Sequence, residues 1–303
     1  MAESDITQKF LTVWTDESWL KGQSFQPRNT DIFVVGSAKT GTTWIQQIVH
    51  QLRTGGDMEF DEMFDLGPIL EFAHDVGVDL EAEQRGFPRC FKTHMWYPSC
   101  PKGARYIWSV REPCATAYSF YNMLQGWLFQ PEDVPVDMFV KAIWLAQDVP
   151  QRVTDTASYF HDVASWWPHR NDPNVLVVFY EDLKECYESS VRSIAEFMGI
   201  TDEGHIQVAL ERSTFEFMKQ HSEKFRLTSF LKHCSAHFGV SEADGMTKTI
   251  VRTGTTTEGP KSISAEVHSE IQKKWESIVT PVTGCATYQE LREAWKKEKQ
   301  SKC

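Results

Sequence analysis

The sequence lacks the features that mark membrane, secreted and disordered proteins. No run of about 18 apolar residues occurs, and the chain does not open with a basic segment followed by an apolar one, so nothing predicts a membrane anchor or secretory leader. Internal repeats, linkers and long charge runs are also missing, apart from the KKEKQSKC tail. We therefore expect a cytoplasmic protein with one domain over residues 1–303, whose ends near 1–20 and 296–303 are flexible.

Cysteines and basic residues are both too few, or too poorly arranged, for some common functions. The seven cysteines form no CxxC pair and show no His/Cys ligand spacing, which argues against a disulfide scaffold and predicts no metal site. Lys and Arg number 31 against 42 Asp and Glu, a net charge of −11. Such a surface repels nucleic acid and acidic lipid, so we expect neither partner, and an anionic ligand needs a local site.

The sequence does contain enough apolar residues for a large core. Hydrophobic residues make up 41% and aromatic residues 13% of the chain. Apolar runs at 31–35, 106–110 and 175–180 each lead into a helix-like segment, which is typical of buried parallel strands. Helical periodicity recurs at 188–198 and 264–278. The pattern predicts an α/β fold, a parallel sheet with helices on both faces.

The most informative stretch is DIFVVGSAKTGTTWIQQIVHQL, in which an apolar strand leads through a glycine-bounded loop into a helix. The loop contains Lys39, Thr40 and Gly41, and the helix opens at Thr42 and Thr43. Helix N-termini offer N–H groups and a positive dipole end to anions, so the stretch predicts a phosphate-binding loop. A plain strand-to-helix turn is the alternative. A Walker A loop is disfavoured because Thr42 stands where its lysine belongs.

The loop resembles that of the cytosolic sulfotransferases, whose Lys-Ser-Gly-Thr-Thr-Trp stands here as residues 39–44. That family has a P-loop-like α/β fold and transfers a sulfuryl group from 3′-phosphoadenosine 5′-phosphosulfate (PAPS) to a hydroxyl or amine of a small acceptor, leaving 3′-phosphoadenosine 5′-phosphate (PAP). Five further segments resemble the family's in the same order: Phe91-Lys92-Thr93-His94, the pair Arg111 and Ser119, Tyr180 in Phe-Tyr-Glu-Asp, Ser213-Thr214-Phe215, and Arg252 with Gly254.

The resemblance implies a role for each matching residue. His94 would be the base that takes the acceptor proton, and no metal would take part. Lys39 would stabilise charge on the bridging oxygen of the leaving nucleotide, and Lys92, with Thr42 or Thr43, would hold the non-bridging sulfuryl oxygens. The residues implied to bind the nucleotide are Lys39, Thr40, Gly41, Thr42, Thr43, Trp44, Arg111, Ser119, Tyr180, Ser213, Phe215, Arg252 and Gly254. Other interpretations stay open, since a lone histidine is more often structural, and Trp44, Phe215 and Tyr180 could be core residues.

Some features depart from the family pattern. Thr253 replaces the lysine expected after Arg252, and only the two ends of the dimer motif survive at 261–270, so closure over the 3′-phosphate and the oligomeric state stay open. We expect residues 218–251 to form a lid that orders on binding. The acceptor is poorly specified. Candidate acceptor contacts are Trp96, Phe25 and Trp127, with Trp19, Tyr97, Phe129 and Trp144 as further aromatic walls.

Two other functions remain open on the sequence alone. A P-loop nucleotide kinase is disfavoured by the missing Walker lysine and by the anion site expected around Arg111, Ser119 and Arg252. A nucleotide-binding protein without turnover is disfavoured by His94 and Lys39, which are chemically reactive types at matching positions.

Overall fold

The computed structural model describes residues 14–125, 129, 133–238, 251, 254 and 258–300, and it confirms the predicted α/β fold. Within these residues one sheet contains four strands: β1 (Ile32–Val35), β2 (Cys90–Thr93), β3 (Arg105–Val110) and β4 (Val175–Phe179). Their order is β2-β1-β3-β4, and every neighbouring pair is parallel. Three strands match the predicted runs within one residue, whereas β2 falls outside them.

Helices connect the strands and continue after the last one. In chain order they are α1 (Asp16–Gln23), α2 (Thr42–Thr54), α3 (Met63–Leu66), α4 (Pro113–Leu124), α5 (Val136–Phe139), α6 (Tyr159–Trp166), α7 (Tyr180–Glu185), α8 (Tyr187–Met198), α9 (Glu203–Arg212), α10 (Phe215–Gln220), α11 (Thr228–Phe238), α12 (Glu258–Ser262), α13 (Ala265–Lys274), α14 (Thr280–Thr283) and α15 (Tyr288–Gln300). Wide turns of π-helix at Val140–Leu145 and Trp275–Val279 extend α5 and α13. Short 3₁₀-helices occur at Trp167–His169 and Ser222–Lys224.

The predicted helical segments are found, with one difference of form. The segment 188–198 lies in α8, whereas 264–278 divides into α13 and the wide turn that follows it. The lid expected at 218–251 contains α11, and its part at 239–250 lies outside the described residues. No helix in the described part of the chain has both the length and the apolar character needed to cross a membrane.

The sheet separates two hydrophobic cores because successive strand side chains point to opposite faces. Ile32 and Val34 of β1 pack into one core with residues of α2, α8 and α9. Phe33 and Val35 pack into the other, larger core, which includes Trp108 of β3. Helices therefore cover both faces, as predicted.

The parallel arrangement brings four loops to one edge of the sheet. The carboxyl ends of β1, β2, β3 and β4 are followed respectively by the glycine-bounded loop, His94, Arg111 and Tyr180. Ligands of open α/β sheets bind at this edge. The parallel strand order therefore brings the glycine-bounded loop, His94, Arg111 and Tyr180 to one edge of the sheet.

Candidate active site at the carboxyl edge of the sheet

The loop between β1 and α2 requires glycine at both ends. Gly36 has φ of 137°, and a Cβ atom there would lie 2.5 Å from the carbonyl oxygen of Ser109. Gly41 has φ of 107°, and its Cβ would lie 2.6 Å from the ring of Tyr180. Other residues would be strained in this conformation and would collide with their neighbours. The main chain of the loop is thereby held against β3 and the end of β4.

The loop also forms a concave surface suited to an anion. Thr40 is buried, its hydroxyl donates to the carbonyl of Ser37 at 2.9 Å, and its own carbonyl accepts from Ser109 Oγ at 2.6 Å. Lys39 adopts a left-handed φ of 74°, which is costly for a residue with a side chain and is typical of functional loops. Helix α2 starts at Gly41 without a side-chain cap or an acidic residue in its first turn, so its N–H groups favour an anion.

Arg111 places a guanidinium beside this loop. The side chain is 8% exposed, and its Nη1 donates to the carbonyl of Lys39 at 3.2 Å. Its Cζ lies 4.2 Å from the ring centroid of Tyr180, a cation–π distance. The carbonyl of Arg111 accepts from Tyr159 Oη at 2.6 Å. The ring of Tyr180 thus lies against both the loop and the guanidinium of Arg111.

The tautomer of His94 follows from its hydrogen bond. Nδ1 lies 2.7 Å from the carbonyl oxygen of Gly36, and because a carbonyl only accepts, Nδ1 carries the proton and Nε2 of the neutral ring has a free lone pair. Burial, helped by the charges of Lys92 and Lys39, lowers the pKa of His94 to about 3. The ring is therefore neutral near pH 7 and able to accept a proton.

Lys92 and Glu71 flank His94 on the β2 side. Lys92 is 5% exposed, and burial lowers its pKa to about 8, against the opposing charge of Glu71. Glu71 Oε1 accepts the backbone N–H of His94. Burial raises the pKa of Glu71. The carboxyl edge of the sheet therefore combines the neutral imidazole of His94, the buried ammonium group of Lys92 and the buried carboxyl group of Glu71.

A single cavity of about 580 Å³ joins these groups. From the loop and the start of α2 it is lined by Lys39, Gly41, Thr42, Thr43 and Trp44. The other predicted residues in its lining are Lys92, His94, Arg111, Ser119, Tyr180, Phe215 and Gly254. The lining also contains apolar side chains, among them Phe72, Phe120, Met123, Trp144, Leu227 and Phe230. We call the lining by the predicted residues the ionic end of the cavity and the lining by these apolar side chains the apolar end.

The aromatic groups predicted at the adenine lie at the ionic end. Trp44 Nε1 donates to the carbonyl of Ser213 at 2.6 Å, and its ring stacks on Tyr187 at a centroid distance of 5.8 Å. Phe215 packs against Gly254, whose Cβ, if present, would lie 2.8 Å from the ring. One face of Trp44 is therefore already covered by Tyr187, and a sandwich between Trp44 and Phe215 can use only the other face.

Several predicted residues are not in the cavity lining. Thr40 and Ser213 are buried, and their carbonyl oxygens accept hydrogen bonds from Ser109 Oγ and Trp44 Nε1. Phe25 is buried in the larger core, where its ring packs on Phe91 of β2 at a centroid distance of 4.9 Å. Trp96 forms a turn in which its Nε1 donates to Ser99 Oγ at 2.8 Å. Phe25 and Trp96 therefore lie outside the cavity lining, which does not favour their expected role as acceptor contacts.

Arg252 and Trp127 lie outside the described residues. Of the further aromatic candidates, Trp144 lines the apolar end, whereas Trp19 is fully buried in the core outside the cavity lining.

Sequence reasoning missed Glu71 and Lys184. Glu71 belongs to no motif, and the signal that could have found it is a lone carboxylate within the apolar stretch 68–73. Lys184 lines the cavity, and its Nζ donates to the carbonyl of Gly254 at 2.7 Å. It follows Tyr180 at i, i+4 on α7, a spacing that places both on one helix face. Among the described residues, no group of three or more His, Cys, Asp or Glu is placed to hold a metal ion.

Comparisons with known proteins find sulfotransferases. A family model described as "Sulfotransferase domain" matches residues 29–256. The chain is 30% identical to sulfotransferase 6B1 of Pan troglodytes over 223 residues, 70% of each chain. It is 27% identical to the amine sulfotransferase of Oryctolagus cuniculus over 205 residues, 66% of each. It is 28% identical to sulfotransferase 1E1 of Cavia porcellus over 212 residues, 66% of this chain and 70% of the other.

Two solved structures share the fold. Mouse sulfotransferase SULT7A1 complexed with PAP has a TM-score of 0.62 at 23% identity, covering 88% of this chain and 91% of that one. Retinol dehydratase in complex with androsterone and inactive cofactor PAP has a TM-score of 0.62 at 18% identity, covering 87% and 85%.

Proposed function

This chain belongs to the sulfotransferase domain family, and from that premise we propose how it transfers the sulfuryl group of PAPS to a small acceptor. His94 takes the acceptor proton, Lys39 stabilises charge on the leaving nucleotide, and Lys92 holds the non-bridging oxygens of the sulfuryl group. The observation that carries the proposal is the neutral His94 ring, whose Nδ1 donates to Gly36 and whose Nε2 is left to accept, in one cavity with both lysines.

The reaction forms a bond between the acceptor oxygen and sulfur and breaks the bond from sulfur to the 5′-phosphate oxygen. The acceptor proton moves to Nε2 of His94, and the electron pair of the broken bond remains on the phosphate, where Lys39 stabilises it. A base with a lowered pKa is sufficient because the hydroxyl becomes acidic as its oxygen bonds to sulfur. Negative charge on the bound donor also favours the imidazolium, and preorganised cations supply most of the remaining stabilisation.

The nucleotide fits the ionic end of the cavity. The N–H groups of α2, with Thr42 and Thr43, would hold the 5′-phosphosulfate, since that helix start has no side-chain cap. Arg111 and Ser119 would hold the 3′-phosphate. Trp44 and Phe215 would contact the adenine, with Thr40, Gly41, Tyr180, Ser213 and Gly254 shaping the site. Arg252 keeps its implied role as a further 3′-phosphate contact.

The acceptor fits the apolar end. Walls such as Phe72, Phe120, Met123 and Trp144 favour a largely apolar compound whose one reactive hydroxyl or amine reaches His94. The solved structures similar in fold hold androsterone and retinol, and a relative is an amine sulfotransferase. We propose an apolar alcohol or phenol as the acceptor class, with neither nucleic acid nor membrane lipid as a partner because of the net charge of −11.

A cytoplasmic location is part of the same proposal. The cysteines at 90, 100, 114, 186 and 285 are free thiols, a state that suits a reducing compartment. Sulfuryl transfer from PAPS does not require a disulfide, so the proposed activity is compatible with a reducing compartment.

The test is an assay of the purified chain with PAPS and a panel of 1-naphthol, a hydroxysteroid, retinol and an aliphatic amine. We expect PAP and a sulfated product to appear together, at a rate that depends on the acceptor. Phosphoryl transfer from ATP with magnesium, or PAPS binding without PAP release for every acceptor, would contradict the proposal.

A further inference from the structure

The segment before β2 brings a carboxylate to the catalytic end of that strand. The N–H of Lys92 donates to the carbonyl of Pro68 at 2.8 Å, and the N–H of Leu70 donates to the carbonyl of Lys92 at 2.9 Å. Ile69 and Lys92 form a parallel bridge. Residues 68–70 thus run beside β2, and the next residue, Glu71, reaches the first residue after the strand, His94.

Glu71 is held in an unusual environment for a carboxylate. Its side chain is 1% exposed and lines the cavity. Oε1 accepts the backbone N–H of His94, whereas Oε2 has no hydrogen-bond partner among the described residues. A buried carboxyl group is costly unless nearby charges or donors compensate it, so the groups that face it decide what it does.

Hydrogen-bond donors and one positive group act on the carboxylate. Burial raises the pKa of Glu71, whereas the N–H groups of His94 and of Glu71 itself, the hydroxyl of Thr93 and the charge of Lys92 on the adjoining strand lower it. Lys39, from the loop after β1, acts with Lys92 on His94. Away from the cavity, Glu71 acts together with Asp162 of α6 on the buried thiol of Cys100.

The protonated state of Lys92 depends on this carboxylate because burial otherwise disfavours a cation. Burial lowers the pKa of Lys92 to about 8, and the charge of Glu71 is the influence that raises it. A lysine so close to deprotonation near neutral pH needs a fixed negative charge to remain an ammonium group.

We propose that Glu71 is a positioning residue for sulfuryl transfer, holding the main chain of His94 with one oxygen and supplying the negative charge that keeps Lys92 a cation. The inference rests on the proposed function, because it assigns Glu71 to the same transfer step. Glu71 itself would contact neither the donor nor the acceptor. Its loss would act through His94 and Lys92, which do.

The decisive variant is Glu71→Gln, which keeps an amide oxygen for the His94 N–H and removes the charge. Lys92 acts as a cation, so kcat/KM for PAPS, which reports on the unliganded enzyme, should fall in the wild type as pH rises through about 8. Removing a nearby opposite charge lowers the pKa of the lysine, so the alkaline fall in the variant should begin about 1 pH unit lower. Glu71→Asp keeps the charge but shortens the reach to His94, so kcat should fall at every pH without moving the alkaline limb.

The matched control is Asp31→Asn, another buried carboxylate-to-amide change. Asp31 pairs with Arg89 at 2.7 Å at the opposite, amino end of β1, so this variant should lose stability and leave the pH profile in place. Lys92→Arg identifies the group: arginine does not deprotonate in this range, so its alkaline limb should disappear, and adding Glu71→Gln should not restore one.

A Glu71→Gln profile that superimposes on the wild type would overturn the inference and leave Glu71 a structural residue. Where Glu71→Gln fails to fold, judged by binding of PAP, Glu71→Asp decides, since a moved alkaline limb in that variant overturns the idea equally. Failure of the proposed function is distinguishable, because the wild type itself would then release no PAP from PAPS.

Discussion

The two ends of the cavity are built in opposite ways. The ionic end is built around one uninterrupted stretch, residues 37–44, whose Gly41 and helix start are dictated by close main-chain contacts, and side chains such as Lys92, His94 and Arg111 complete it. The apolar end consists of side chains from segments far apart in the chain, such as Phe72, Met123, Trp144 and Phe230. A substitution at the ionic end should remove a specific charge or contact and weaken binding strongly. A substitution at the apolar end should have a smaller effect, because many side chains contribute to binding there.

The largest effect is expected at His94, where the two ends meet. His94→Ala should lower kcat by about 100- to 10,000-fold, because a general base usually contributes that much, while PAP binds with nearly unchanged affinity. Steady-state kinetics and calorimetry with PAP measure the two effects. The control is His221→Ala, a half-exposed histidine outside the cavity lining, which should retain wild-type turnover. Near-normal kcat in folded His94→Ala would remove this residue from the mechanism.

The next effect concerns Arg111 and tests how specific the ionic end is. Arg111→Ala should weaken PAP by about 10- to 150-fold, since losing a charge-assisted contact costs about 1.5 to 3 kcal/mol. Adenosine 5′-monophosphate, which has no 3′-phosphate, should lose much less. Titration calorimetry with both nucleotides gives the comparison. Equal losses for the two would show that this guanidinium does not contact the 3′-phosphate.

A smaller effect is expected from the loop geometry. Gly41→Ala places a methyl group 2.6 Å from the Tyr180 ring at φ of 107°, and strain of about 1 to 3 kcal/mol should weaken PAP by about tenfold or more. Gly77→Ala is a matched control with φ of 75° and open space around its Cβ, so it should affect stability alone. If both variants bind PAP equally well, the loop is more tolerant than its contacts indicate.

The smallest effect is expected at the apolar end. Phe72 lies 4.6 Å from Phe230, centroid to centroid, and Phe72→Ala should lower kcat/KM for an apolar acceptor by about 3- to 10-fold, with PAP affinity unchanged. Phe197→Ala, a half-buried phenylalanine outside the cavity lining, is the control and should leave kcat/KM alone. A loss of PAP binding in Phe72→Ala would mean that the two ends are not separate.

Much of this molecule could be predicted because the relevant interactions are local in the chain. Apolar runs predicted three of the strands, and the Gly36–Gly41 loop with its helix predicted an anion site, since main-chain conformation and helix dipoles depend on neighbouring residues. The order of the motifs also led to the family. His94, Lys92 and Arg111 could be named because their segments resemble the family's motifs, and parallel strands that end at the same edge bring them together.

Only the tertiary structure decided which side chains share the cavity. It left Phe25 and Trp96 outside the cavity lining, placed Trp144 in the apolar wall, and brought Glu71 to His94. Side-chain burial depends on which distant segment packs opposite a residue, and an apolar pattern is the same for a core and for an acceptor pocket. The electrostatic pairing of Glu71 with Lys92 likewise arises from contacts between segments about 20 residues apart, which no local pattern records.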